Sequence, residues 1–212
     1  GKTTNSSGWN GGVWLGYKDT FNSGAGEIIV IGENTGVNSH AEGVEINWGS
    51  DSYGSNFVSS GGDANTPAIS ITGDCDSTST ATTEQRGIWG GTSGLTISAT
   101  GGGDILLTGT NSATHSTNPG AIYIQSADIV ASTGYVKLDG GTQGVVTSIS
   151  GGTTNLGATS AGSATGAVTV IGDRIISAGT TTIKTSGAVV EESSSSSFAA
   201  AFNASTLNVT AG

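Results

Sequence analysis

Residues 86–111, RGIWGGTSGLTISATGGGDILLTGTN, and residues 120–142, GAIYIQSADIVASTGYVKLDGGT, carry the pattern that decides the fold. Leu95, Ile97 and Ala99 alternate with Thr96 and Ser98, and Ile105 and Leu107 flank Leu106. Ile122 and Ile124, Ile129 and Ala131, then Val136 and Leu138 repeat the alternation in the second stretch. A period of two places every second side chain on one face, so each run reads as a strand with one buried face. The two stretches also superimpose. Gly109 and Gly140 close matching runs, and the segment from Ile97 aligns with that from Ile129, with one extra glycine in the Gly101-Gly102-Gly103 turn. This is an internal repeat.

Composition narrows the class. The 212 residues hold 37 Gly, 2 Pro, 1 Cys and no Met, and only 10% are charged. Glycine at that level without a triplet period excludes collagen. Low charge with recurring Val/Ile/Leu doublets argues against disorder. A net charge of −10 with no basic stripe argues against nucleic acid, where phosphate contacts dominate affinity, and against an anionic membrane surface. The apolar runs are too short to span a bilayer as helices. With neither initiator Met nor signal peptide, the expectation is a mature product or a fragment of something longer.

Along the chain, residues 1–24 concentrate Trp9, Trp14, Tyr17 and Phe21 and read as an aromatic-rich N-terminal cap or first coil. Residues 25–190 read as solenoid repeats. Gly26–Gly32 is a strand apolar on both faces, followed by 43–47. Residues 49–66 and 74–86 read as polar excursions on either side of a strand at 69–72. A short strand at 144–149 precedes a low-complexity loop at 151–166, and strands from Ala167, Asp173 and Thr181 follow. Residues 191–212 read as a polar bulge (Glu191–Ser197), a patch of helical propensity (Phe198–Phe202) and a final coil (Leu207–Thr210), continuing into another copy or a missing segment.

No apolar pattern of helical period exceeds a turn or two, so the class is all-β. A parallel β-helix, or β-solenoid, competes with a β-sandwich or jelly roll. Stacked coils impose like residues at like positions, whereas sandwich strands need not resemble one another. Strands separated by one or two Gly or Ser also fit coil corners better than two-residue hairpins. The expectation is a solenoid of roughly nine coils of ~22 residues, a rod near ~45 Å long.

The segments GEIIVIGENTG, GLTISATGGGDILLTGTN, GAIYIQSADIVASTGYVKLDGGT and GAVTVIGDRIISAGTTTIKTSG resemble the degenerate repeats of filamentous-haemagglutinin-like large exoproteins. The resemblance covers roughly residues 25–190. It implies a right-handed β-helix, secreted by a bacterium and exposed at the cell surface or assembled as a fibre. The secretion-domain signature of that family is not recognisable in this chain, and no catalytic residue carries over.

Chemistry is sparse. Asp74 and Asp76, two apart, could hold a cation or act as an acid/base pair if joined by another carboxylate, Arg86 or Arg174. Turn aspartates more often serve backbone hydrogen bonds. Gly101–Asp104 superficially resembles a calcium-binding nonapeptide without matching it in tandem. His40 and His115 lie far apart with no partner at metal-ligand spacing. Cys75 reads as a lone thiol, with an intermolecular disulfide as the lesser alternative, and Asn5, Asn203 and Asn208 open short sequons. No catalytic, cofactor-binding or metal-ligating residue is assigned, and no cofactor is expected. The expected function is a non-enzymatic structural or adhesive β-solenoid, secreted or at the bacterial surface. Its expected partners are further solenoid coils stacked end to end and the glycans of host or neighbouring cells. The alternatives are a β-helix polysaccharide lyase or hydrolase acting through Asp74 and Asp76, and a carbohydrate-binding module using Trp9, Trp14, Trp48 and Trp89. An ice-binding plane is disfavoured by irregular Thr spacing.

Overall fold

The computed structural model describes residues 1–4, 9–16, 18–36, 40–46, 54–63, 66–76, 85–91, 94–112, 120–148, 151–159, 161–198 and 207–211. Strands of two to seven residues wind through three faces in turn. The first tier is β1 (Lys2–Thr3), β2 (Trp9–Leu15) and β3 (Thr20–Asn22). The second is β4 (Ile28–Asn34), β5 (His40–Ile46) and β6 (Asn56–Ser59); the third is β7 (Ile69–Cys75), β8 (Gln85–Gly90) and β9 (Leu95–Ala99). The fourth is β10 (Ile105–Asn111), β11 (Ile122–Ile124) and β12 (Ala127–Ala131), and the fifth β13 (Val136–Asp139), β14 (Val145–Thr147) and β15 (Thr153–Gly157). β16 (Val168–Ile171), β17 (Ile175–Ser177) and β18 (Thr180–Thr185) make the sixth, with β19 (Val189–Glu192) and β20 (Leu207–Ala211) above them.

Every third strand pairs with its counterpart one tier on, giving sheet A (β1-β4-β7-β10-β13-β16-β19), sheet B (β2-β5-β8-β11-β14-β17) and sheet C (β3-β6-β9-β12-β15-β18-β20). Every named pairing is parallel, so the chain is a parallel β-helix and not a sandwich. Gly141–Gln143 forms a single 3-10 turn. Seven tiers at the strand spacing of ~4.8 Å make a stack roughly 30 Å tall. This is shorter and wider than nine coils of ~22 residues, because the turns between strands vary: 41 residues separate Ile28 from its partner Ile69, and 21 separate Val168 from Val189.

In-register parallel pairing stacks like on like. Phe21, Phe57, Ile97, Ile129, Leu156 and Ile183 form one inward ladder on sheet C. Phe21 and Phe57 stack with ring centroids 4.9 Å apart. Ile28, Ile69, Ile105, Val136, Val168 and Val189 form another on sheet A, and Val13, Val44, Ile88, Ile122, Val145 and Ile175 a third on sheet B. Removing these side chains from water is the main stabilising term, worth about 1.5–3 kcal/mol for each large aliphatic. At the corner of sheets B and C in the fifth and sixth tiers the core turns polar. The hydroxyl of Thr181 meets those of Thr147 (2.7 Å), Ser148 (2.8 Å) and Ser177 (2.8 Å).

Several local expectations change. Asn56–Ser59 and Thr153–Gly157, read as excursion and loop, are strands of sheet C. Each is placed by one large apolar side chain, Phe57 or Leu156, on the inner ladder. The strand from Ile69 does not end at Gly73 but runs through Asp74 to Cys75. The Glu191–Ser197 bulge begins as strand β19, and its serines are pinned: Ser193 Oγ and Ser195 N donate to Asp173 Oδ1 at 2.9 and 2.8 Å. The anticipated two-sided strand at Gly26–Gly32 is apolar on both faces, yet Ile29 and Ile31 lie outside with about 60% of their surface exposed. Phe198 is described and partly exposed, whereas the rest of the supposed helical patch lies outside the described residues.

Sheets A and B meet along a seam of glycines. Gly32, Gly73 and Gly109 stack in register on sheet A and face Gly43, Gly87 and Ala121 on sheet B. A Cβ on Gly73 would lie 1.9 Å from Gly87 O, and one on Gly32 2.0 Å from Gly43 O. Backbone atoms on both sides leave nothing flexible to yield. Gly73→Ala is therefore expected to destabilise the protein by about 3 kcal/mol or more. Gly102→Ala, whose Cβ would meet nothing nearer than Thr133 Oγ1 at 3.9 Å, should change the urea midpoint little. Equal midpoints for the two variants would remove the seam from this account.

Candidate functional site

Ionisable and aromatic side chains gather, buried, on one side of sheet B. Every residue of β8, and 41–46 of β5, is buried. The inner side takes Val44, Ile46 and Ile88. The cross-strand register skips Gly43 and Gly87, pairing Glu42 with Arg86 and Val44 with Ile88. At that break the strand rolls over, so Arg86 and Trp89, three residues apart, come to one face. The Arg86 guanidinium lies 3.8 Å from the centroid of the Tyr123 ring and 5.0 Å from that of Trp89. Arg86 is 1% exposed and Glu42, its neighbour on β5, is fully buried. Glu45, in register with Trp89 and 5% exposed, completes the group. Burial pushes the Glu45 carboxyl up to about 7, against the opposing pull of the Arg86 charge. A cation held over two aromatic faces in a desolvated place is worth about 2 kcal/mol or more. The arrangement holds strands of three successive tiers together and leaves Trp89 no open face for a sugar.

Asp74 and Asp76 sit elsewhere, on the outer side of sheet A at its corner with sheet B. They line one open groove of about 260 Å³ together with Thr110, Ser112, Thr142 and Gln143. The Thr110 hydroxyl donates to Asp74 Oδ1 from the next tier, and Asp76 N donates to Asn34 O at 3.0 Å. No Arg or Lys lines this groove. Arg86 belongs to the sheet B cluster, and Arg174 stands in the sixth tier, where its carbonyl accepts from Val145 N at 2.8 Å. The structure thus brings the two aspartates together and brings neither arginine to them.

The other singled-out residues scatter. Trp14 is 64% exposed on β2, in register with Glu45. Trp9 and His40 are paired in the backbone register of β2 and β5. Trp48, His115, Asn5 and Asn203 lie outside the described residues, and Asn208 is on β20. Cys75 is fully buried and its thiol donates to Ala41 O at 3.1 Å, so the intermolecular disulfide has no exposed thiol to form it. Asp104 is 4% exposed, and its Oδ1 accepts from Tyr135 N at 2.9 Å. Burial raises its pKa, hydrogen bonds from Tyr135 oppose the rise, and the Asp63 charge adds to it. That aspartate orders a coil corner. Among the described residues no three His, Cys, Asp or Glu side chains gather as a metal site, and no helix is long and apolar enough to cross a membrane.

The sequence reading missed the sheet B cluster, Glu42, Glu45 and Tyr123 above all. Its one signal was the pair of Gly-apolar steps Gly43-Val44 and Gly87-Ile88, which break the period of two at the same place in successive tiers. Comparison of the chain with family models, with curated proteins and with solved structures gives no match.

Glu45 makes stability depend on pH. Its folded pKa, about 7, lies above the ordinary 4.5, so between those values the folded state keeps a proton that the unfolded chain has released. Stability then falls as pH rises through this window and stays low above it. The full shift is worth roughly 3 kcal/mol. Glu45→Gln should match the wild type in urea unfolding at pH 5 and exceed it by about 2–3 kcal/mol at pH 8. A gain equal at both pH values would show that the carboxyl is not the titrating group.

Proposed function

We propose that this chain is a non-enzymatic structural or adhesive β-solenoid of a secreted, cell-surface bacterial exoprotein, similar to the filamentous-haemagglutinin-like repeats. The observation that carries the reading is the continuity of the inner ladders: Phe57, Ile97, Ile129, Leu156 and Ile183 run through five tiers without a break for a site. On sheet C an outer column of Thr20, Asn56, Thr96, Asp128, Asn155 and Thr182 gives a polar surface repeated tier by tier. Such a rod transmits load through parallel backbone pairing and offers many equivalent weak contacts rather than one strong one. Its proposed partners are more solenoid tiers, stacked end to end, and cell-surface glycans.

A polysaccharide-cleaving enzyme is the second reading, favoured by the shared groove of Asp74 and Asp76. The groove lining holds no cation to stabilise charge at the cleaved bond.

Two assays separate these readings. Negative-stain microscopy at rising protein concentration should show rods joining into filaments, and beads coated with the protein should attach to bacterial or host cells. Incubation with soluble polysaccharides should release no new reducing ends, and Asp74→Asn with Asp76→Asn should leave attachment unchanged. Reducing ends that appear with the wild type and vanish in the double variant would establish the enzyme instead. Isolated rods that attach to nothing would overturn the structural and adhesive reading.

A further inference from the structure

One outer column of sheet C is polar in every described tier. Thr20, Asn56, Thr96, Asp128, Asn155 and Thr182 follow one another in register, each one strand spacing beyond the last. Parity alone demands only that this column face outward. It does not demand that each member end in a hydroxyl or in a planar amide or carboxylate, with no Lys, Arg or aromatic among them. Across the third to fifth tiers the column lies in a concavity of about 410 Å³, where Thr96, Asp128 and Asn155 are joined by Ser126 and Thr153. Low walls at Gly94, Gly151 and Gly152 open it toward solvent. Asn155 Nδ2 donates to Asp128 Oδ1 at 2.7 Å, and Thr153 N donates to Ser126 Oγ at 3.2 Å. Those bonds fix the planar groups in place and leave the second carboxylate oxygen and the amide oxygen for a ligand.

We propose that this groove is a subsite for a linear, uncharged polysaccharide lying along the rod axis. Planar amide and carboxylate groups bind pairs of adjacent hydroxyls, and Thr and Ser hydroxyls both donate and accept. A polyanion meets no lining cation and a chain of net charge −10. A protein partner would ask for apolar or aromatic anchors, which the outward lining lacks. Two tiers span ~10 Å, about the length of two pyranose rings end to end, so an extended glycan can keep step with the ladder. The inference rests on the adhesive reading and gives it a specific surface.

Affinity gel electrophoresis tests it, with galactomannan, xyloglucan and dextran as neutral probes and alginate as the anionic one. The wild type should be retarded by at least one neutral polymer and not by alginate. Asp128→Ala with Asn155→Ala should weaken that retardation by about tenfold or more, as should Thr96→Val to a lesser degree, while Thr108→Ala on sheet A leaves it unchanged. Circular dichroism melts would confirm that these outward changes keep the fold. Retardation by alginate alone, by none of the polymers, or equally in all variants would overturn the proposal. Bead attachment that survives the groove variants would sink the groove while leaving the adhesive reading intact.

Discussion

Everything in this molecule follows from parallel pairing in strict register. Once Ile105 is bonded opposite Ile69 and Val136, the inner position of one tier fixes the inner position of the next. A side chain therefore never packs alone. It packs between the two copies of its own position, ~4.8 Å above and below. That spacing favours flat or branched aliphatics of one size, and sheet C obeys it from Phe57 to Ile183. It also keeps a change of residue class together: where Thr147, Ser177 and Thr181 turn inward, their hydroxyls bond to one another.

The glycine seam is the second consequence of the same rule. Sheets A and B approach backbone to backbone only because Gly32, Gly73 and Gly109 stack, and facing residues are small in each tier. The close approach lets β4, β7 and β10 overrun the corner, with Asn34, Cys75 and Asn111 in register and buried beyond it. It also turns β5 and β8 over at Gly43 and Gly87. That turn, rather than any motif, gathers Glu42, Glu45, Arg86 and Trp89 on one side. A structural device thereby produces a carboxylate, Glu45, that burial pushes up to about 7.

The central tiers were legible in the amino-acid order because their inner and outer residues differ in kind. Ile97 and Ile129, and Ile105 and Val136, aligned by eye and pair in fact. β6 and β15 were not legible, since Asn-Phe-Val-Ser and Thr-Thr-Asn-Leu-Gly each offer one large apolar group amid turn formers. Only the neighbouring tiers make them strands. Tier height misled for a related reason. A tier of sheet A takes from 21 residues (Val168 to Val189) to 41 (Ile28 to Ile69), so no single repeat length sets the number of coils. Asp74, read as the start of a polar loop, is held in β7 by pairing with Glu33 and Thr110, whereas Asp76 lies just past the end of that strand.

Charge distribution connects the fold to its use. Buried ionisable groups join neighbouring tiers: Glu42, Glu45 and Arg86 within the strands of sheet B, and Asp104 at the turn from sheet C to sheet A. The Thr/Asn column of sheet C carries a single charge, Asp128, in its described tiers. A neutral polar column gains little from any single contact, since exchange with water leaves each hydrogen bond worth about 1 kcal/mol. It gains from repetition: several such contacts to one extended ligand share a single loss of translational freedom. Affinity on such a surface should therefore rise with ligand length until the ligand outgrows the column, a dependence that a pocket enclosing one sugar would not show.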